Sequence, residues 1–139
     1  DLGRRTIDVP LDVRAQQGGE RMVRVRSGGK ASASTFEAVD FFGARATLMQ
    51  VDIATGRTHQ IRVHAAFAGH PIAGDDKYGD REFNAQMRAF GLERMFLHAH
   101  AVSFQWPGSG RTFAVSVPLP PELAQVLDRL AATRRRRRR

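Results

Sequence analysis

Residues 55–64, with the sequence T-G-R-T-H-Q-I-R-V-H, constrain the fold more than any other stretch of the chain. The residues just before them alternate between apolar and polar, which is typical of a strand. Gly56 favours a turn, because glycine tolerates backbone angles that other residues avoid. Thr58 suits the N-cap of a helix, and Gly69 suits its C-terminal end. The pattern therefore predicts a strand, a turn and then a helix of about three turns.

That predicted helix has one narrow polar stripe. With about 100° between successive residues, Ile61 and Ala65 fall on an apolar side, and His59 and Arg62 fall on the stripe. A helix this apolar is mostly buried, and a buried guanidinium needs a partner. The helix also begins beside Arg57 and His59, where free backbone N–H groups favour anions. We therefore expect a site for a phosphate or a carboxylate at this end of the helix.

The stretch resembles the signature of the RluA-type pseudouridine synthases, which isomerise uridine in RNA. The resemblance continues through residues 69–83, G-H-P-I-A-G-D-D-K-Y-G-D-R-E-F, and through L-H-A at residues 97–99. An earlier segment, residues 29–36, is similar to the lead-in of the same family. The detail around residues 75–83 is most similar to the RluC branch, whose members modify large-subunit ribosomal RNA. The resemblance covers most of residues 20–130.

The resemblance and the element pattern together predict an α+β fold. This would be the C-terminal half of the pseudouridine synthase catalytic fold, with an antiparallel or mixed sheet and flanking helices. Residues 34–42 and 44–53 form a predicted hairpin, and residues 122–132 a predicted terminal helix. We assign residues 1–133 to this domain and expect residues 134–139, all arginine, to be a disordered basic tail.

The resemblance also implies a chemistry without a metal or an organic cofactor. In the family an aspartate is the nucleophile, a tyrosine is the base and an arginine pairs with the aspartate. The aspartate belongs to a motif of the type R-L-D-x-x-T-S-G, which is absent here; Asp128 follows a leucine but no Thr-Ser-Gly follows it. Tyr78 lies in a different segment from the family tyrosine, and we expect it to pack and hydrogen-bond locally. We therefore expect this chain to be a piece of a longer protein and to be inactive alone.

Five residues are expected to form the site. Arg62 matches the family arginine that pairs with the aspartate, and in this chain we expect it to face solvent, an anion or an acidic neighbour at no large burial cost. The alternative is a core ion pair with an acid such as Asp52. Leu97 matches a residue that lines the uracil pocket, although plain core packing would also explain it. The residues expected to meet RNA phosphate or ribose are Arg57, His59 and Gln60. For His59 the alternative is a hydrogen bond at the start of the helix.

The charge of the chain is concentrated at its end. Six of the eight net positive charges belong to the arginines of residues 134–139. The high charge is thus weak evidence for nucleic-acid binding by the folded part. The arginine run either adds sequence-independent RNA affinity or is a basic terminus with no specific role, and the sequence leaves both open.

Two other classes of function were considered. A metal hydrolase would need some of the five histidines as ligands, but His59 and His64 are five residues apart, whereas chelation on a helix prefers four. A non-catalytic RNA-binding module is the stronger alternative, because the nucleophile motif is absent. The resemblance implies RNA as the partner. The chain has no cysteine and no long apolar run, so we expect no membrane contact and a cytoplasmic location. The sequence predicts no oligomeric state.

Overall fold

Seven strands and three helices form the part of the chain that the computed structural model describes, residues 3–15, 21–105, 108 and 110–137. In chain order they are β1 Arg4–Asp8, β2 Leu11–Ala15, β3 Arg21–Val25, β4 Ala33–Phe42, β5 Ala46–Ile53, α1 Gln60–Phe67, α2 Arg81–Ala89, β6 Ala101–Gln105, β7 Thr112–Ser116 and α3 Pro121–Arg137. The predicted α+β class is confirmed.

The strands form three antiparallel groups. One sheet has the order β1-β4-β5, and β2–β3 and β6–β7 are separate hairpins. The predicted hairpin is β4–β5, in which Ser34 pairs with Ile53 and Phe42 pairs with Ala46. A backbone bridge between Leu11 and Lys30 ties the β2–β3 hairpin to the segment that leads into β4.

Two apolar clusters hold these elements together. The larger one joins the end of β4 to α2 and α3, and its buried members are Phe42, Met87, Leu92, Leu123, Val126 and Leu130. The smaller one joins β2, β3 and α1 through Leu11, Val23 and Val63. Burying such side chains removes apolar surface from water, which is the dominant favourable term in folding. The smaller cluster places the N-terminal half of α1 against the β2–β3 hairpin.

The terminal helix is longer than the sequence predicted. It continues to Arg137 and so includes the first four arginines of the run, whereas Arg138 and Arg139 lie outside the described residues. The expected disorder of residues 134–139 stays a prediction. Arginine has a high helix propensity, and positive charge is favourable near a helix C-terminus. Arg134 is also anchored, because it donates hydrogen bonds to Asp40 and to the carbonyl of Phe41 and lies over the ring of Phe42.

Some sequence-based expectations fall outside the described residues. The sequence predicts a loop at residues 16–20 and a hairpin loop at residues 107–110; residues 16–20, 107 and 109 lie outside the described residues. Within the described ranges, none of the helices has the length and apolar character needed to cross a membrane.

Candidate active site

Helix α1 begins one residue later than predicted. Its N-cap is His59, not Thr58, and His59 has a left-handed backbone with φ 54°. A side chain from the helix itself closes the preceding turn, because Gln60 Oε1 accepts hydrogen bonds from the Arg57 backbone N–H and the Thr55 hydroxyl. This replaces the hydroxyl cap expected from Thr58. The predicted end is confirmed, since Gly69 follows the C-cap with φ 83°.

Gln60 is part of the internal scaffold of the site. Its side-chain nitrogen donates to the Ala33 carbonyl at 2.9 Å and to Ser34 Oγ at 2.8 Å, and its oxygen accepts the two bonds from the turn. An amide side chain has two N–H donors and one oxygen with two lone pairs, so its capacity is used. Gln60 is only 3% exposed. We therefore do not propose that Gln60 contacts RNA directly.

His64 continues the same buried network. Its Nδ1 lies 2.9 Å from Ser34 Oγ and its Nε2 lies 3.0 Å from the Val9 carbonyl oxygen. Because a carbonyl only accepts, Nε2 carries a proton and Nδ1 accepts from the serine hydroxyl. The network pins α1 to β4 and to the link between β1 and β2. This role was not predicted from the sequence, because the spacing of four residues between Gln60 and His64 does not by itself reveal it.

Arg62 forms a two-pronged ion pair with Asp75. Arg62 Nε donates to Asp75 Oδ2 at 2.9 Å, and Nη2 donates to Oδ1 at 2.8 Å. The Asp75 side chain is fully buried, whereas 18% of the Arg62 side chain is exposed. The acidic neighbour expected for Arg62 is thus Asp75, and the alternative partner Asp52 is an exposed residue of β5. Paired hydrogen bonds of this kind fix the plane of the guanidinium as well as its position.

Asp75 lies in the loop at residues 70–80, here called the Asp75 loop, and backbone groups of that loop hold its side chain. Its Oδ1 also accepts from the backbone N–H groups of Lys77 and Tyr78. Gly79 must be small, because a Cβ there would collide with the Asp75 carbonyl oxygen. Asn84 of α2 accepts from the Gly74 N–H and donates to the Asp75 carbonyl. This loop thus supplies the partner of Arg62.

These contacts set the ionisation of Asp75. Burial alone would raise its pKa, but the hydrogen bonds from Arg62 and from the Tyr78 and Lys77 backbone outweigh burial and hold the pKa below its ordinary value. The carboxylate is therefore ionised at neutral pH. The same pair raises the pKa of Arg62, mainly through the hydrogen bonds to Asp75.

We expect this pair to make the stability of the chain sensitive to acid. Since the folded-state pKa of Asp75 is depressed, its contribution is fully present above the unfolded pKa of about 3.9 and is lost as pH falls through the folded pKa. Urea unfolding across acidic pH should show a smaller loss of stability for Asp75→Asn than for the unchanged chain. Asp76→Asn, at the exposed neighbouring position, is the matched control. Equal acid sensitivity of Asp75→Asn and the unchanged chain would contradict the expectation.

His59 is joined to the same loop through Tyr78. Its Nδ1 lies 2.9 Å from the Tyr78 hydroxyl, and the two rings meet edge to face at 5.6 Å. Burial, the positive charge of Arg62 and that of Lys77 lower the pKa of His59, so the ring is neutral at pH 7. The alternative for His59 was a hydrogen bond at the start of the helix. The structure has such a bond, and its partner is the Tyr78 hydroxyl.

The Arg57 side chain and the Leu97 carbonyl have hydrogen-bond partners outside this cluster. Arg57 is exposed and donates from Nε to the Ala31 carbonyl at 3.2 Å. Leu97 is half-buried, and its carbonyl accepts a hydrogen bond from Arg94. The Leu97 segment joins the Asp75 loop where the Phe96 N–H donates to the Ala73 carbonyl at 2.8 Å.

An open cleft of about 570 Å³ runs beside the ion pair. Its walls come from α1, the Asp75 loop, α2 and the segment before β6, and include Arg62, Asp75, Lys77, Asn84, Arg94 and Met95. Leu97 is not among the described lining residues, whereas Met95, two residues earlier, is. The predicted site residues therefore divide between the cleft, which holds Arg62, and the surface around the start of α1, which holds Arg57 and His59.

The histidines do not form a metal site in the described part of the chain. No three His, Cys, Asp or Glu residues there are grouped so that they could hold an ion. His64 is committed to Ser34 and Val9, and His98 lies 3.3 Å from the Val117 carbonyl. The geometry thus offers the metal-hydrolase alternative no ligand set among these residues.

The sequence has relatives among known proteins. Residues 4–67 match the model of a family described as RNA pseudouridylate synthase. The ribosomal large subunit pseudouridine synthase C of Yersinia pestis is 48% identical over 123 residues, which are 88% of this chain and 38% of that protein. The protein of the same name from Escherichia coli K12 is 45% identical over 132 residues, 94% of this chain and 41% of that protein. The chain thus spans about two fifths of the length of these relatives.

A solved structure has a similar fold. The human RNA pseudouridylate synthase domain containing 1 superposes with a TM-score of 0.64 at 27% sequence identity. The match covers 96% of this chain and 60% of the human chain.

Proposed function

We propose that the chain belongs to the RNA pseudouridylate synthase family, whose model matches residues 4–67, and that the protein containing it isomerises uridine to pseudouridine in large-subunit ribosomal RNA. The reaction breaks the N-glycosidic bond, turns the uracil and rejoins it through carbon, after the uridine has left its stack. The names of the relatives favour this enzyme over a non-catalytic RNA-binding module.

The observation that carries the proposal is the open edge of Arg62. A guanidinium has five N–H donors, and the pair with Asp75 uses Nε–H and one hydrogen of Nη2. The Nη1 edge has no hydrogen-bond partner among the described residues, and Arg62 lines the cleft. Arg62 can therefore bind a second carboxylate without releasing Asp75. We assign that place to the nucleophilic aspartate, whose motif this chain lacks.

The RNA contacts follow from exposure and charge. Arg57 is exposed next to the start of α1, and His59 has one ring nitrogen, Nε2, that no described residue contacts. Both suit phosphate or ribose oxygens of the bound RNA. We keep Leu97 as a residue of the uracil pocket and expect no cofactor. We place the protein in the cytoplasm, where its substrate is.

We expect the 139-residue chain alone to form no pseudouridine, since it lacks the nucleophile motif. The complete reading frame should form it on the same RNA. The measurement is carbodiimide treatment and primer extension of unmodified large-subunit RNA after incubation with each protein. Product from the short chain would refute the assignment of the nucleophile to an aspartate that it lacks. An inactive complete protein would refute the proposed function.

A further inference from the structure

Tyr78 contacts both His59 and Arg62. Its hydroxyl lies 2.9 Å from His59 Nδ1, and its ring centre lies 5.1 Å from the guanidinium carbon of Arg62. Its backbone N–H donates to Asp75 Oδ1 at 3.1 Å. One residue of the Asp75 loop thus touches the partner of the ion pair, the arginine itself and the histidine at the start of α1.

The hydroxyl of Tyr78 has a defined direction. It accepts a hydrogen bond from the Val23 backbone N–H at 3.0 Å, on the edge of β3 that faces away from β2. The hydroxyl still has one hydrogen to donate, and the nearest described acceptor is Nδ1 of the neutral His59. A histidine that accepts at Nδ1 carries its own proton on Nε2. The chain of bonds from Val23 through Tyr78 therefore selects one tautomer of His59.

The backbone of His59 supports a role for this arrangement. A residue other than glycine rarely adopts a left-handed conformation, and it stays there only where its surroundings impose it. The surroundings of His59 are the bond to Tyr78 on one side and the bonded Gln60 on the other. These contacts hold the ring against Tyr78 at the start of the helix, two residues after the exposed Arg57.

We propose that Tyr78 is a positioning residue for RNA recognition and turnover. Its hydroxyl holds His59 as the tautomer that offers Nε2–H to a phosphate or ribose oxygen. Its ring supports one face of the Arg62 guanidinium, which keeps the Nη1 edge turned to the cleft. The identity of the ligand rests on the proposed function, whereas the tautomer does not.

Two variants separate the two contacts. Tyr78→Phe removes the hydroxyl and keeps the ring, and Tyr78→Leu removes both. Long-range proton–nitrogen NMR spectra of the 139-residue chain report which ring nitrogen of His59 carries the proton, with His59→Gln to assign the signals. We expect a single Nε2–H tautomer in the unchanged chain and a mixture in Tyr78→Phe. An unchanged His59 spectrum in Tyr78→Phe would overturn the proposal.

Kinetics of the complete protein test the proposed roles of Tyr78 in RNA binding and turnover. Tyr78→Phe should raise KM for RNA about three- to tenfold, as expected for one lost hydrogen bond, and leave kcat nearly unchanged. Tyr78→Leu should also lower kcat, because Arg62 loses its support. Phe90→Leu is the control, since it removes a ring from under Arg45, and neither residue is among the described lining residues of the cleft. Equal kcat values for the two Tyr78 variants would overturn the role of the ring. If the unchanged complete protein makes no pseudouridine, the proposed function fails and the NMR result still decides the tautomer.

Discussion

Replacing Arg62 by methionine is expected to lower the free energy of unfolding of this chain by about 3 kcal/mol at neutral pH, near the lower end of the range for breaking a buried ion pair. The substitution keeps the apolar stem and removes the charge. It leaves the Asp75 carboxylate, whose side chain is fully buried, with the backbone N–H groups of Lys77 and Tyr78 as its remaining partners among the described residues. Because those two bonds remain, we expect a loss of stability near the lower end of that range. Urea unfolding at pH 7 measures the change.

The chain contains a matched control for that substitution. Arg57 is three residues from the helix start at Gln60, is exposed and has one long hydrogen bond to the Ala31 carbonyl. Arg57→Met should therefore cost less than about 0.5 kcal/mol, as surface substitutions usually do. The double variant Arg62→Met with Asp75→Asn should recover part of the loss, because the stranded charge is gone. If Arg62→Met costs no more than Arg57→Met, the pair does not stabilise the fold.

This expectation corrects one made from the sequence. The resemblance placed the partner of Arg62 in an absent motif, so a low burial cost followed, and that part is wrong. The helical pattern did predict that Arg62 needs a partner. It could not identify Asp75, because the contact depends on how residues 70–80 fold back beside α1, held by Gly79 and Asn84. Asp52 was closer along the chain but lies exposed on β5.

Local pattern predicted the elements better than their ends. The alternation around Gly43 predicted β4 and β5, and Gly69 predicted the end of α1. The start of α1 was missed by one residue because the amide of Gln60 closes the turn and the hydroxyl of Thr58 does not. The like charges of residues 134–139 suggested repulsion, but they could not show that Arg134 has a partner in Asp40, because that contact joins residues far apart in the chain.

The sequence predicted several residues of the site but not the contacts that hold them in place. Gln60 was expected to contact RNA, and only the tertiary structure shows that its amide donates to Ala33 and Ser34 of β4. Tyr78 was expected to hydrogen-bond locally, yet its hydroxyl reaches a strand more than fifty residues earlier in the chain. A single sequence carries no signal for such long-range bonds. The motif residues that contact the cleft are visible in sequence, and the residues that orient them are not.

A second substitution at Arg62 separates stability from chemistry. In the complete protein, Arg62→Lys is expected to lower kcat at least about 100-fold, the size of effect seen when one positioned charge-stabilising donor is removed. Lysine keeps a positive charge and can still donate to Asp75, so the fold should lose less stability than with methionine. It has no planar fork, and one ammonium group does not hold two carboxylates in fixed places. Single-turnover kinetics on large-subunit RNA, with RNA binding measured in parallel, check the result.

The control for that experiment is Arg45→Lys, the same chemical change at an exposed arginine that lies over Phe90 and is not among the described lining residues of the cleft. It should leave kcat unchanged, so a general effect of lysine for arginine can be recognised. A stable Arg62→Lys protein that binds RNA and has lost turnover can be explained only by the second edge of the guanidinium, because Asp75 still has a cation beside it. If Arg62→Lys instead keeps near-normal kcat while Arg62→Met unfolds the chain, Arg62 serves Asp75 alone. The nucleophilic aspartate then has another partner, and the assignment of the open edge is wrong.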